Sequence, residues 1–159
     1  MASASVDPAE IVRYVADTFD GVNVAEANGD TFFIYDPDRQ LPPERQMPFA
    51  TLVTSDAYDQ VSELNRPGVF RLNIGVGRET YRSLFGPPPP NPGAAGIVDT
   101  GHDFSTLDQV MPHPVYAMMS WVCVLNPTRE TFQTVQGYLA EAHARAASHY
   151  ARIRPAAEG

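Results

Sequence analysis

Hydrophobic and polar positions change period several times along the chain, and each change marks an element. Ile11, Val12, Val15 and Phe19 recur at steps of one, three and four, which puts them on one face of a helix. Asp7-Pro8-Ala9-Glu10 opens that helix: Asp7 suits the cap, Pro8 the first turn, and Glu10 a capping box. Gly21 ends it. Val22 to Glu26 then reads as a short strand, Asn28-Gly29 as a hairpin turn, and Thr31 to Tyr35 as the returning strand. Phe49 to Thr54 is a third strand after a polar loop with Pro42-Pro43. Residues 55–68 are a polar connection, in which Tyr58, Val61 and Leu64 predict one helical turn. Residues 69–74 alternate strictly: Phe70, Leu72 and Ile74 share one sheet face, Arg71 and Asn73 the other. A helix follows over about 78–85, stopped by Gly86.

Beyond it the pattern breaks. Residues 86–101 are rich in proline and glycine, with Pro87 to Pro90 consecutive, and form either a surface insertion or a flap over a site. Ser105-Thr106-Leu107-Asp108 predicts the start of a short helix that Pro112 ends. Ser120 to Leu125 is the fifth strand. Asn126-Pro127-Thr128 opens the last helix, whose stripe runs through Phe132, Val135, Leu139, Ala142, Ala146, Tyr150 and Ile153. Strands joined by short loops, with helices grouped toward the ends, predict an α+β fold. The expectation is one domain over residues 1–159. It has a single mostly antiparallel sheet of about five strands, with the first and last helices packed on one face.

Composition narrows the classes. The 159 residues, 43% hydrophobic, suffice for a core. The single cysteine, Cys123, permits no internal disulfide and no cysteine metal cluster. No signal peptide or membrane-length apolar run is present, so a cytoplasmic protein is expected. All eleven basic residues are arginine, which excludes a catalytic lysine or a phosphate-loop lysine. With the alanine and proline content, it also suggests a GC-rich, actinobacterial source. Net charge is −8, and residues 1–65 carry twelve acids against three arginines. That balance makes nucleic acid an unlikely partner, since affinity for phosphate backbones comes from clustered positive charge.

The strand at 69–74 runs into Gly75-Val76-Gly77-Arg78, which resembles a dinucleotide fingerprint at a helix start. Thr80 stands where the third glycine belongs. A strand-to-helix turn is the simpler reading. An oxyanion near Arg78 and the free N–H groups of the helix start remains reasonable. No sequence signature calls for a cofactor or a metal.

The reactive side chains gather in two places. Asp99, His102, Asp103, Asp108, His113 and Tyr116 lie within eighteen residues. There His113 and His102 are the candidates to move a proton near neutral pH, and Tyr116 to donate a hydrogen bond. A loop pair for His102-Asp103 and a turn-shaping His113 between two prolines are the structural alternatives. The second place is the polar pair Arg71 and Asn73, with Trp121 as a further wall. On a covered face these bind a polar substrate, and on an open face they are solvated. Cys123 reads as a small buried hydrophobe.

Three stretches carry a resemblance: Gly29 to Pro37, Phe70 to Arg78, and His113 to Tyr116 with Trp121 to Pro127. Together they resemble a family of uncharacterised actinobacterial proteins of about this length. More distantly, the element order resembles MmcQ/YjbR-like domains, which implies architecture and not activity. The functional expectation is a small-molecule-binding protein with Arg71, Asn73, Arg78 and Trp121 at the ligand. One form of it is a cofactor-independent acid–base enzyme catalysing cyclisation, isomerisation or elimination. The alternative is an interaction module without chemistry, binding protein or nucleic acid.

Overall fold

Asp7 caps the first helix, α1 (Pro8–Thr18), with Oδ1 accepting the N–H of Ala9 at 2.8 Å. Glu10 sends its carboxylate outward to Arg129 on the last helix, at 2.8 and 3.0 Å. Ile11 and Val15 are fully buried, as their spacing requires. These features belong to a computed structural model that describes residues 4–90 and 96–153, without the side chain of Ile153.

Strands β1 (Val22–Ala27) and β2 (Asp30–Tyr35) form the expected hairpin, with Asn28 and Gly29 both at positive φ. β3 (Pro48–Val53) and β4 (Arg71–Gly75) follow, then β5 (Met111–Pro112) and β6 (Trp121–Leu125). They make one antiparallel sheet in the order β1-β2-β3-β4-β6-β5. The sixth strand is β5, whose two residues, one of them proline, are too short to show a period of two.

Helices α2 (Arg78–Phe85) and α3 (Arg129–Ile153) complete the fold. α3 crosses β2, β3 and β4, while α1 packs on β1. The Tyr14 ring meets the edge of Phe132 at 5.4 Å, so the two helices share a face. That layer buries Phe33, Leu52, Leu72, Ile74, Phe132, Val135 and Leu139.

Two expected helical turns do not form. Residues 103–110 run irregularly, with Leu107 bridged to Leu125, because Asp103 takes the N–H and hydroxyl of Ser105, at 3.0 and 2.6 Å, and Asp108 adopts φ +58°. Asp108 then caps the chain entering α3 instead, accepting the N–H of Thr128 at 2.8 Å. Residues 54–70 likewise run as turns and bends. Leu64 anchors them in the core while Tyr58 stays exposed.

Part of the proline-rich segment, residues 91–95, lies outside the described residues. Of the rest, Val98 is buried and donates its N–H to the Pro114 carbonyl at 2.8 Å. That bond stitches the described part of the segment to the 111–116 stretch. No helix among the described residues is long and apolar enough to cross a membrane.

Candidate functional site

The sheet face opposite α3 is covered, and what covers it makes the site. The alternation in β4 turns Leu72 and Ile74 toward the helices and Arg71 and Asn73 away from them. The connection 54–70 folds over that second face and brings Asp59 and Ser62 onto Arg71. The guanidinium is 2% exposed and its carboxylate partner Asp59 is 4% exposed. Nη1 donates to Asp59 Oδ1 (3.1 Å) and Ser62 Oγ (2.8 Å), and Nη2 to Asp59 Oδ2 (2.8 Å). Nε donates to Asn73 Oδ1 (2.9 Å), and Asn73 passes the chain on to Thr51 Oγ1 (2.9 Å). Four of the five N–H groups of a guanidinium are thereby committed, leaving one on Nη2.

Arg71, Asn73 and Asp59 line a cavity of about 380 Å³ together with Tyr58, His113, Tyr116 and Trp121. Phe32, Val53 and Val115 supply apolar wall, and the exposed side chains of Met47 and Met119 stand at its edge. The rings of His113 and Tyr116 are 5.0 Å apart, and Trp121 lies 6.2 Å from His113. Five of the seven residues singled out in the sequence therefore meet here: Arg71, Asn73, His113, Tyr116 and Trp121.

His113 is placed by the turn between Pro112 and Pro114. Its Nδ1 accepts the N–H groups of both Val115 and Tyr116 at 3.0 Å, in the stretch that leads into the 3₁₀ turn Ala117–Met119. Two donors aimed at Nδ1 fix the ring proton on Nε2. That N–H has no protein partner among the described residues. Burial, and after it the Arg71 guanidinium, hold the imidazole well below its usual 6.5. The residue is thus a neutral hydrogen-bond donor. Its use as a proton acceptor would require breaking two backbone hydrogen bonds and placing a second positive charge beside Arg71.

A pH dependence of stability follows. Below about 6.5 the unfolded histidine takes up a proton and the folded one does not. Its contribution is therefore complete above that pH, and is lost as pH falls toward the depressed folded value. The expected slope is about 1.4 kcal/mol per pH unit. In urea titrations between pH 7 and 5, His113→Asn, whose Oδ1 still accepts from the turn, is expected to lose stability less steeply than the parent. Equal slopes would contradict the neutral ring.

The two remaining candidates lie elsewhere. His102 pairs its Nδ1 with Thr100 Oγ1 at 3.0 Å and packs edge-on to Phe85, away from the cavity, so it does not join His113. Arg78 is exposed on the first turn of α2. A carboxylate does occupy that helix start, but it is the protein's own. Glu141 accepts from Gly77 N–H (2.5 Å) and Thr80 Oγ1 (2.6 Å), so these two donors of the helix start are already taken. The glycines before α2 serve space, not unusual backbone angles. Gly77 has φ −79°, and a Cβ on it would lie 2.9 Å from Glu141 Oε2. A Cβ on Gly75 would lie 2.8 Å from Trp121 Cε2, so Gly75 lets the indole lie against β4.

Cys123 is buried, and burial pushes its thiol up to about 12, which makes it a packing residue. Among the described residues no three histidine, cysteine, aspartate or glutamate side chains gather as a metal site.

Sequence reasoning missed Asp59, Ser62 and Tyr58. A buried arginine demands a carboxylate, but nothing local marks which of the chain's many acids supplies it. The model of a family described as of unknown function, DUF6194, matches residues 6–155. No curated protein and no solved structure matches the chain.

Proposed function

The chain belongs to DUF6194, a family of unknown function, and from the chemistry of its pocket we propose that it binds a small molecule with an apolar body and a neutral acceptor oxygen. The observation that carries this is the pair of uncommitted donors at the polar floor, His113 Nε2–H and the last N–H of Arg71 Nη2. Asp59 already cancels the charge of Arg71, so a ligand carboxylate would have to share the guanidinium with a buried rival. A carbonyl or hydroxyl oxygen has no such rival. The walls Phe32, Val53, Val115 and Trp121 suit an aliphatic or aromatic body, and the volume is in the range of small-molecule sites. The hydroxyl of Tyr116, half exposed at the mouth, offers a further donor.

Acid–base catalysis would need a group that exchanges a proton with the ligand. Both oxygens of Asp59 are held by Arg71, and Nδ1 of His113 is filled from the backbone. The arrangement favours binding, or polarising a carbonyl, over abstracting a proton.

The test compares 2-acetylnaphthalene with 2-ethylnaphthalene by calorimetric titration. The ketone is expected to bind roughly fivefold tighter, as one or two hydrogen bonds imply. His113→Asn, which keeps the turn but loses the Nε2 donor and leaves that of Arg71, is expected to shrink the difference. Equal affinities for the two compounds would sink the reading.

A second reading rests on the exposed apolar rim. Met47 is 71% exposed, Met119 61% and Tyr58 58%. Such a rim also suits an apolar side chain of a protein partner, in which case neither naphthalene would bind.

A further inference from the structure

A second, larger cleft of about 600 Å³ opens at the end of the sheet where the last turns of α3 run past it. Its charge is opposite to that of the molecule. The chain carries −8 overall, yet among the described residues the cleft is lined by Arg45, Arg145, Arg152 and His149 and by no aspartate or glutamate. Asp38 and Glu141, which bond to residues of this region, are engaged: Asp38 accepts from the Tyr150 hydroxyl at 2.8 Å, and Glu141 caps α2. Arg145 is held in place by its Nη1 on the carbonyls of Val76 (3.2 Å) and Gly75 (3.4 Å), which leaves Nε and Nη2 to a ligand. Arg152 is exposed on the last turn of α3 and pairs with no carboxylate among the described residues.

The walls between these charges are aromatic and apolar: Tyr35, Phe49, Tyr150 and the indole of Trp121. We propose that this cleft is a second binding site, for a small anionic molecule that carries an oxyanion on a planar apolar body. Guanidinium groups supply paired donors for the oxygens of a phosphate or carboxylate. A cleft of one sign also concentrates ligands of the other. The acidic remainder of the surface repels an extended polyanion, so the ligand is a small molecule and not a nucleic acid.

The site goes beyond the neutral-ligand pocket and does not depend on it. The two cavities share Met47, Pro48, Met119 and Trp121 as a common wall, but no arginine lines both.

The experiment titrates the full chain calorimetrically with 2-naphthyl phosphate, 2-naphthoate and 2-ethylnaphthalene, which carry the same ring with two anionic heads and one apolar one. At least one anion is expected to bind tenfold or more tighter than the hydrocarbon. The tighter of the two identifies the head group. Arg145→Gln/Arg152→Gln is expected to remove that advantage and leave the hydrocarbon affinity unchanged. Arg152→Glu alone, on the exposed last turn of α3, gives the same answer if the double variant folds poorly. Equal affinity for all three compounds, or anion binding untouched by both variants, would overturn the proposal. His113→Asn should leave anion binding unaltered, which separates failure of this site from failure of the ketone pocket.

Discussion

Asp59→Ala is expected to lower folding stability by about 3–5 kcal/mol, although the residue lies in a connection without regular structure. The side chain is 4% exposed and holds both terminal nitrogens of Arg71, itself 2% exposed. Removing it leaves a guanidinium in the interior with no counter-charge and only Ser62 and Asn73 as partners. The cost is mainly that of the stranded cation. The pair itself has little net worth, because both ions were taken out of water to make it. The double substitution Arg71→Met/Asp59→Leu is therefore expected to be less destabilised than Asp59→Ala alone. Urea unfolding of the three proteins checks this. A loss under about 1 kcal/mol for Asp59→Ala, as at an exposed ion pair, would mean that the connection does not seal the face in solution.

Phe33→Ala is the second large effect, with an expected loss of about 3–5 kcal/mol. Phe33 has no exposed surface and lies on the helix side of β2, with the Phe49 ring 6.5 Å from its own. Its neighbour Phe32 points to the other face, is only half-buried, and lines the small pocket. Phe32→Ala is expected to cost clearly less stability and to weaken binding of 2-acetylnaphthalene. Equal losses from the two substitutions would show that the faces have been confused. The comparison needs only thermal or urea unfolding of two single variants.

Local patterns made much of the fold legible. Periods of three to four placed α1 and the buried stripe of α3, and Asn28-Gly29 fixed the first hairpin. Alternation in β4 set Arg71 and Asn73 apart from Leu72 and Ile74. These signals are local because the backbone geometry that produces them repeats within a few residues. The failures are equally physical. Ser105 to Asp108 has the letters of a helix start, but Asp103 and Asp108 spend their carboxylates on other backbone groups. β5 is too short for any pattern.

The site divides along the same line. Which residues carry donors, charge and aromatic rings was readable one by one, and most of them do meet. Their protonation and their partners were not. Nothing near His113 in the chain announces that Arg71 stands close enough to disfavour its charge, or that two backbone N–H groups occupy Nδ1. The sequence by itself determined the elements, the two faces of β4 and the pool of reactive groups, because propensity and periodicity act over a few residues. Only the tertiary structure decided that Asp59 pairs with Arg71 and that Glu141 fills the start of α2. The same holds for the arginines of α3, which line one cleft with Arg45. Those pairings join residues 12 to more than 60 positions apart, and burial selects them through the cost of leaving a charge or an N–H without a partner.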